Sequence, residues 1–150
     1  MKALTADAIV GSWHLLRWSI EYPDGRPSML PFGEDALGLI VYAPDGWMTA
    51  TMCRRQRSGL SAPTPARASS ASKALAFDEY LSYGGRWRLD GEVLIHELML
   101  SMNPGLLGLP QRRLARLEAD GRQLELIAEE HDAASGRSRR HRIRWTRPLS

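Results

Sequence analysis

Residues 31–47 read PFGEDALGLIVYAPDGW, and the run Tyr42-Ala43-Pro44-Asp45-Gly46-Trp47 within them decides the fold. Proline presets φ, while aspartate and glycine tolerate turn conformations that other residues resist, so Pro44-Asp45-Gly46 reverses the chain. Segments 39–42 and 47–52 are therefore predicted to pair as a hairpin. The same punctuation returns twice. Trp87-Arg88-Leu89-Asp90-Gly91-Glu92-Val93-Leu94 sets Asp-Gly, the favoured two-residue hairpin turn, between alternating apolar residues, and Ala119-Asp120-Gly121-Arg122 repeats the device. Consecutive hairpins with period-2 patterning and little helix predict an antiparallel up-and-down meander that closes on itself. Closure leaves no exposed strand edge.

Two stretches break the pattern. Residues 72–81, SKALAFDEYL, place Ala74, Phe77 and Leu81 at helical spacing and predict a short helix or lid. Just before them, residues 54–70, RRQRSGLSAPTPARASS, have no apolar period and predict a long mobile loop. Such a loop is either a gate at the barrel rim or an ordinary surface connection.

Composition bounds the remaining choices. A chain of 150 residues with 43% hydrophobic content is expected to form one domain over residues 1–150. No apolar run approaches the roughly 18 to 20 residues that span a bilayer, and residues 1–10 lack a basic region followed by an apolar stretch, so no membrane partner and a cytoplasmic location are expected. Cys53 is the only cysteine, which excludes an internal disulfide and a thiolate cluster. The net charge is +3, with its densest patch in RSRRHRIRWTR at residues 137–147. There Arg140, Arg142 and Arg144 alternate with His141, Ile143 and Trp145, as on a strand with one wet and one buried face. A phosphate-binding surface is the alternative, but no recognition helix or stacking array accompanies the patch, so no nucleic-acid partner is expected.

The chain has no G-x-x-x-x-G-K loop, no G-x-G-x-x-G fingerprint and no H-E-x-x-H helix. His96-Glu97 begins like the last, but adjacent strand residues point to opposite faces and cannot share a metal. No metal site and no cofactor are expected.

The turns also assign faces. With Asp90-Gly91 as the two turn residues, Leu89 pairs with Glu92, Trp87 with Leu94, and Gly85 lies near His96. Trp87, Leu89, Leu94, His96, Leu98, Leu100 and Met102 then share the inner face, opposite Arg86, Arg88, Val93, Ile95, Glu97 and Met99. His96 therefore points into an apolar lumen, where an imidazole needs a hydrogen-bond partner. Its roles there are a general acid or base, a ligand contact, or a hydrogen-bonded residue of the core. Around Asp120-Gly121, Leu117 faces Leu124, Ala115 faces Leu126, and Arg113 faces Ala128 on the inner side. Arg116 with Glu125 and Arg112 with Glu129 fall outside. An inward Arg113 needs an acidic partner or an anionic ligand, unless it lies at the rim and reaches water.

Gly11-Ser12-Trp13, the P-F-G-x-D-A-x-G run from Pro31 to Gly38, the Y-x-P-D-G-W turn, the Tyr80 and Tyr83 segment, S-x-N-P from Ser101 to Pro104, and Trp145-Thr146-Arg147 follow one another along nearly the whole chain. In that order they resemble the bacterial lipocalin-like domain family. The resemblance implies an all-β fold, a single antiparallel up-and-down lipocalin-like β-barrel around an apolar cavity. It also implies that Trp13 with Arg144 or Arg147 plugs one end, leaving the other mouth as the entrance. Phe32 and Trp47 are candidates for the pocket wall, with Trp87, His96, Leu98, Leu100, Met102 and Arg113 as further ligand-binding residues. Asp35 is expected to cap or anchor its loop.

Two functions follow. The first is binding of a small hydrophobic or aromatic molecule in the lumen. The second is a cofactor-free cyclase or isomerase of a polyketide or terpenoid pathway, as a few relatives among such barrels suggest. There His96, Tyr80 or Tyr83 would supply acid and base. A third reading, an interface module that uses the basic strand, is the weakest.

Overall fold

In the computed structural model, which describes residues 3–147, eight strands follow one another around a closed antiparallel barrel. A four-residue helix α1 (Ala6–Ile9) leads into β1 (Gly11–Glu21), and β2 (Leu37–Tyr42) and β3 (Trp47–Cys53) follow. Helix α2 (Ser70–Asp78) precedes β4 (Tyr80–Asp90), β5 (Val93–Ser101), β6 (Gln111–Leu117), β7 (Gln123–Asp132) and β8 (Arg137–Thr146). Each strand pairs with the next and β8 returns to β1, so the meander read from the turns closes as expected.

The alternation is plain in β3, where Met48, Ala50 and Met52 are buried while Trp47 and Thr49 are exposed. Inward residues of all eight strands meet in one core that includes Trp13, Ile40, Tyr42, Trp87, Leu94, Leu124, Leu126 and Trp145. Burying such side chains contributes on the order of 1.5 to 3 kcal/mol each.

The β2–β3 turn forms as predicted: the Ala43 N–H donates to Trp47 O at 2.8 Å, and Gly46 takes φ of 91°. The β6–β7 hairpin also keeps its predicted register, with Leu117 opposite Leu124 and Ala115 opposite Leu126. The β4–β5 hairpin is shifted. Asp90 pairs with Val93, so Gly91 and Glu92 are the turn residues, and Trp87 faces His96 rather than Leu94. Gly91, with φ of 62°, occupies the first central position, where a type II′ turn requires glycine. Because the slip is two residues, every side chain keeps its face.

Face assignment fails further along β5. Gly85 pairs with Leu98 and Gly84 with Leu100, leaving Met99 as the extra residue of a β-bulge. Glycine makes this possible: a Cβ on Gly85 would lie 2.1 Å from the Glu97 carbonyl oxygen. Beyond the bulge the alternation inverts, so Leu100, expected inside, faces out with 74% exposure. Met102 is likewise not a lumen residue; it lies past the end of β5, with its N–H donating to Ser82 O at 2.8 Å.

The basic strand is the wet face it was read to be, and it carries ion pairs with its neighbours. Arg142 takes both Glu21 (3.0 Å) and Glu125 (2.8 Å), and Arg140 takes Glu129. Arg116 stands opposite Glu125 in register as predicted, while the ion pairs of Glu125 and Glu129 run to β8.

Helix α2 starts two residues earlier than predicted, capped by the Ser69 hydroxyl, which accepts from the Ser72 N–H. It ends at Asp78, so Tyr80 already belongs to β4. None of its residues is buried. The connection before it contains a short 3-10 turn, Pro65–Arg67.

One end of the barrel is closed. Trp13 donates from Nε1 to Ile9 O at 2.8 Å, and the Arg147 guanidinium lies 4.2 Å from the centre of its ring while donating to Ala8 O. Of the two arginines expected to seal this end, Arg147 does so and Arg144 turns to Gln123. The tight turns between β2 and β3, β4 and β5, and β6 and β7 share this end; the long connections gather at the opposite mouth. No helix among the described residues is long and apolar enough to cross a membrane.

Candidate functional site

Four strands aim polar side chains into the lumen. Tyr42 stands at the end of β2, Tyr83 on β4, His96 on β5 and Arg113 on β6. Antiparallel pairing sets the inward direction of the last two, since His96 is opposite Trp87 and Arg113 is opposite the fully buried Leu94.

His96 has no solvent exposure. Its Nε2 lies 2.8 Å from the Tyr42 hydroxyl and its Nδ1 lies 3.2 Å from the Tyr83 hydroxyl. Burial, and then the positive charge of Arg113, lower its pKa to about 3, so the imidazole is neutral at physiological pH. A neutral imidazole has one N–H and one lone pair. One tyrosine must therefore donate to the ring while the other accepts from it. Both phenols stay protonated: burial raises the pKa of Tyr42 well above its ordinary value and raises that of Tyr83 as well. The result is an uncharged hydrogen-bond chain, Tyr42–His96–Tyr83, running from the fully buried Tyr42 to the half-buried Tyr83. Trp87 packs edge-on against Tyr42 at 5.1 Å, and its Nε1 donates to Ala43 O at 2.8 Å.

Arg113 is half-buried. Its guanidinium donates to the Gln111 side-chain oxygen at 3.3 Å and to the Arg112 carbonyl at 3.2 Å. Among the described residues no carboxylate lies within ion-pair distance of it. Its charge bears on Tyr42, Tyr83, His96 and, on β8, His141. His141 accepts from Trp18 Nε1 at 3.1 Å through Nδ1, and its Nε2 lies 3.2 Å from Glu130. Burial lowers its pKa, against the opposing pull of Glu130.

A family model of the lipocalin-like domain matches residues 10–148. The chain belongs to the lipocalin-like domain family. No curated protein matches it.

Within this lipocalin-like barrel, the candidate residues divide cleanly. His96, Tyr83, Trp87, Leu98 and Arg113 turn inward as predicted, and Phe32 is buried edge-on against Trp18 at 5.1 Å. Trp47 does not line the pocket. Period-2 alternation turns its neighbour Met48 inward, so Trp47 faces out, 41% exposed, with the Arg86 guanidinium 4.3 Å from its ring centre. Tyr80 is also outside: it pairs with Cys53, an odd number of places from the inward Leu81 and Tyr83, and Arg57 covers its ring at 4.9 Å. Leu100 and Met102 were removed from the lumen by the bulge. Asp35 was expected to cap or anchor its loop through its side chain; instead its backbone carbonyl accepts from Arg55 Nε at 3.1 Å, and its exposed carboxylate lies 3.7 Å from the same group.

The lumen differs from an open container at this level. Trp13, Trp145, Tyr42, Leu94, Leu124, Leu126 and His96 fill it without solvent contact. Tyr83 and Arg113 are the half-buried polar groups beside it. A concavity of about 840 Å³ opens elsewhere, along the β7–β8 hairpin, lined by polar groups including Tyr22, Arg26, Glu130 and Arg139. Among the described residues no cluster of three or more His, Cys, Asp or Glu could hold a metal.

Sequence reasoning overlooked three contributors. Tyr42 was legible, since alternation through Ile40 and Tyr42 turns both inward. Gln111 shares the inner face because it pairs with His96. Glu79, at the C-terminal end of α2, is buried with its Oε2 lacking a hydrogen-bond partner, and nothing in its local pattern signals this.

Proposed function

We propose that this lipocalin-like domain binds a small, mostly apolar molecule, hydrophobic or aromatic, at the open mouth, with its polar end hydrogen-bonded at Tyr83. The observation that carries this reading is the neutral Tyr42–His96–Tyr83 chain, held in an apolar core and ending at the half-buried residue Tyr83. With the Tyr42 hydroxyl donating to Nε2, the Nδ1–H donates to the Tyr83 oxygen and the Tyr83 O–H is left to donate to a ligand, so no buried group of the chain goes unsatisfied. Phe32 and Trp18 on the far wall supply apolar and aromatic contact.

The test is native mass spectrometry of the purified protein, followed by tryptophan quenching with a panel of apolar compounds. A retained compound or saturable quenching is expected, and Tyr83→Phe should weaken binding by about tenfold, the weight of one hydrogen bond. An empty protein that no compound quenches would end this reading.

A second reading, a cofactor-free cyclase or isomerase, draws on the same chain, since Tyr83 could give a proton to a substrate and recover one from His96. It is the less favoured of the two. Replenishing that proton would leave its deficit on Tyr42, whose burial makes it a poor acid. Turnover of a reactive chain that survives both Tyr83→Phe and His96→Gln would remove this role.

A further inference from the structure

Resting on the binding reading above, we infer that the ligand is an acid: a small apolar monocarboxylate whose oxygens pair with Arg113 and accept from the Tyr83 hydroxyl.

Arg113 points inward by strand register, opposite Leu94, so its guanidinium sits over the lumen instead of the outer wall. Its hydrogen-bond partners, the Gln111 amide oxygen and the Arg112 carbonyl, are both neutral. The arginines of β8 are treated differently: Arg139, Arg140 and Arg142 each hold a glutamate. Around Arg113 the lumen groups are uncharged, since His96 is neutral and both tyrosines keep their protons. Glu79, buried near the start of β4, makes no ion pair with it. A partly desolvated cation without a counter-charge is unfavourable, and an anion entering the mouth would compensate it.

The donor set then selects among anions. A carboxylate only accepts hydrogen bonds, and it matches the planar guanidinium fork, with the Tyr83 hydroxyl available for a second oxygen. Gln111 can release Arg113 at little cost, because its amide is a neutral acceptor. One guanidinium balances one negative charge, so a monoanion fits better than a phosphomonoester with nearly two. An amine would be repelled. The apolar remainder of the molecule would lie toward Leu98, Phe32 and Trp18, which are apolar and at least half-buried.

The experiment compares dodecanoate and 2-naphthoate with their methyl esters, each titrated into the full chain by tryptophan fluorescence. We expect at least one acid to bind about tenfold or more tighter than its ester, the scale of a charge-assisted hydrogen bond. Arg113→Gln should weaken the acid far more than the ester and so abolish the preference, and Arg113→Lys should restore part of it. Equal binding of acid and ester to the native protein overturns the inference and leaves the container intact. A loss of acid and ester together in Arg113→Gln, not relieved by lysine, assigns Arg113 to structure and overturns it as well. If none of these compounds binds, the container reading falls too.

Discussion

Acidification from pH 7 to pH 5 should cost the native protein more stability than it costs a His96→Gln variant, and the size of the gap follows from the burial of the imidazole. In the folded protein His96 titrates at about 3, held there first by burial and then by Arg113. In the unfolded chain it titrates near 6.5. Above pH 6.5 the ring is neutral in both states, and the site has its full stability. As pH falls through 6.5 the unfolded chain takes up a proton that the folded chain cannot, so stability is lost. The loss runs at about 1.4 kcal/mol per pH unit and ends near pH 3, where the folded ring protonates too. At pH 5 it amounts to about 2 kcal/mol, or roughly 4 to 8 °C in Tm for a chain of this size. Glutamine offers a donor and an acceptor to Tyr42 and Tyr83 without a titrating group. His141, whose pKa burial also lowers, is present in both proteins and cancels in the comparison. Urea unfolding followed by tryptophan fluorescence at pH 7, 6 and 5 measures the gap. Parallel losses in the two proteins would refute the claim that His96 is held neutral in the core.

Gly85→Ala should destabilise by about 3 kcal/mol or more, because its methyl would meet the Glu97 carbonyl, whereas Gly59→Ala, with open space around it, should be nearly silent in the same thermal melt. Arg147→Ala should cost about 2 kcal/mol, since it uncovers the Trp13 ring and releases the Ala8 carbonyl; an unchanged urea midpoint would show that the closed end does not depend on it. Arg140→Ala, which breaks an exposed pair with Glu129, should cost less than about 1 kcal/mol. Tyr80→Phe should leave ligand titrations unchanged where Tyr83→Phe does not, because the Tyr80 hydroxyl belongs to the outer wall; equal effects would contradict the strand register.

Much of this protein was decided locally. Pro44-Asp45-Gly46, Gly91 and Gly121 make the tight turns of the closed end, and alternation between those points turns Trp87, His96 and Arg113 inward. Even the misplaced β4–β5 turn did no harm to the faces, because a two-residue slip preserves the period. Trp47 and Tyr80 were assigned to the pocket as aromatics near a mouth, although alternation past Met48 and Leu81 already places them outside. The closure of Trp13 by Arg147 needed only the first and last strands to be neighbours, which an up-and-down meander requires.

Other features depend on approaches between distant segments. The bulge that expels Leu100 exists because the backbone at Gly85 comes within reach of the Glu97 carbonyl, and no pattern within β5 announces it. The pairing of Tyr42 with His96 spans 54 residues and joins strands that are not neighbours in the sheet; only the curvature of the closed barrel brings them together across the lumen. Local alternation set which side of the sheet each group faces. The three-dimensional closure decided which inward groups touch, and with that the neutrality of His96 and the missing counter-charge at Arg113.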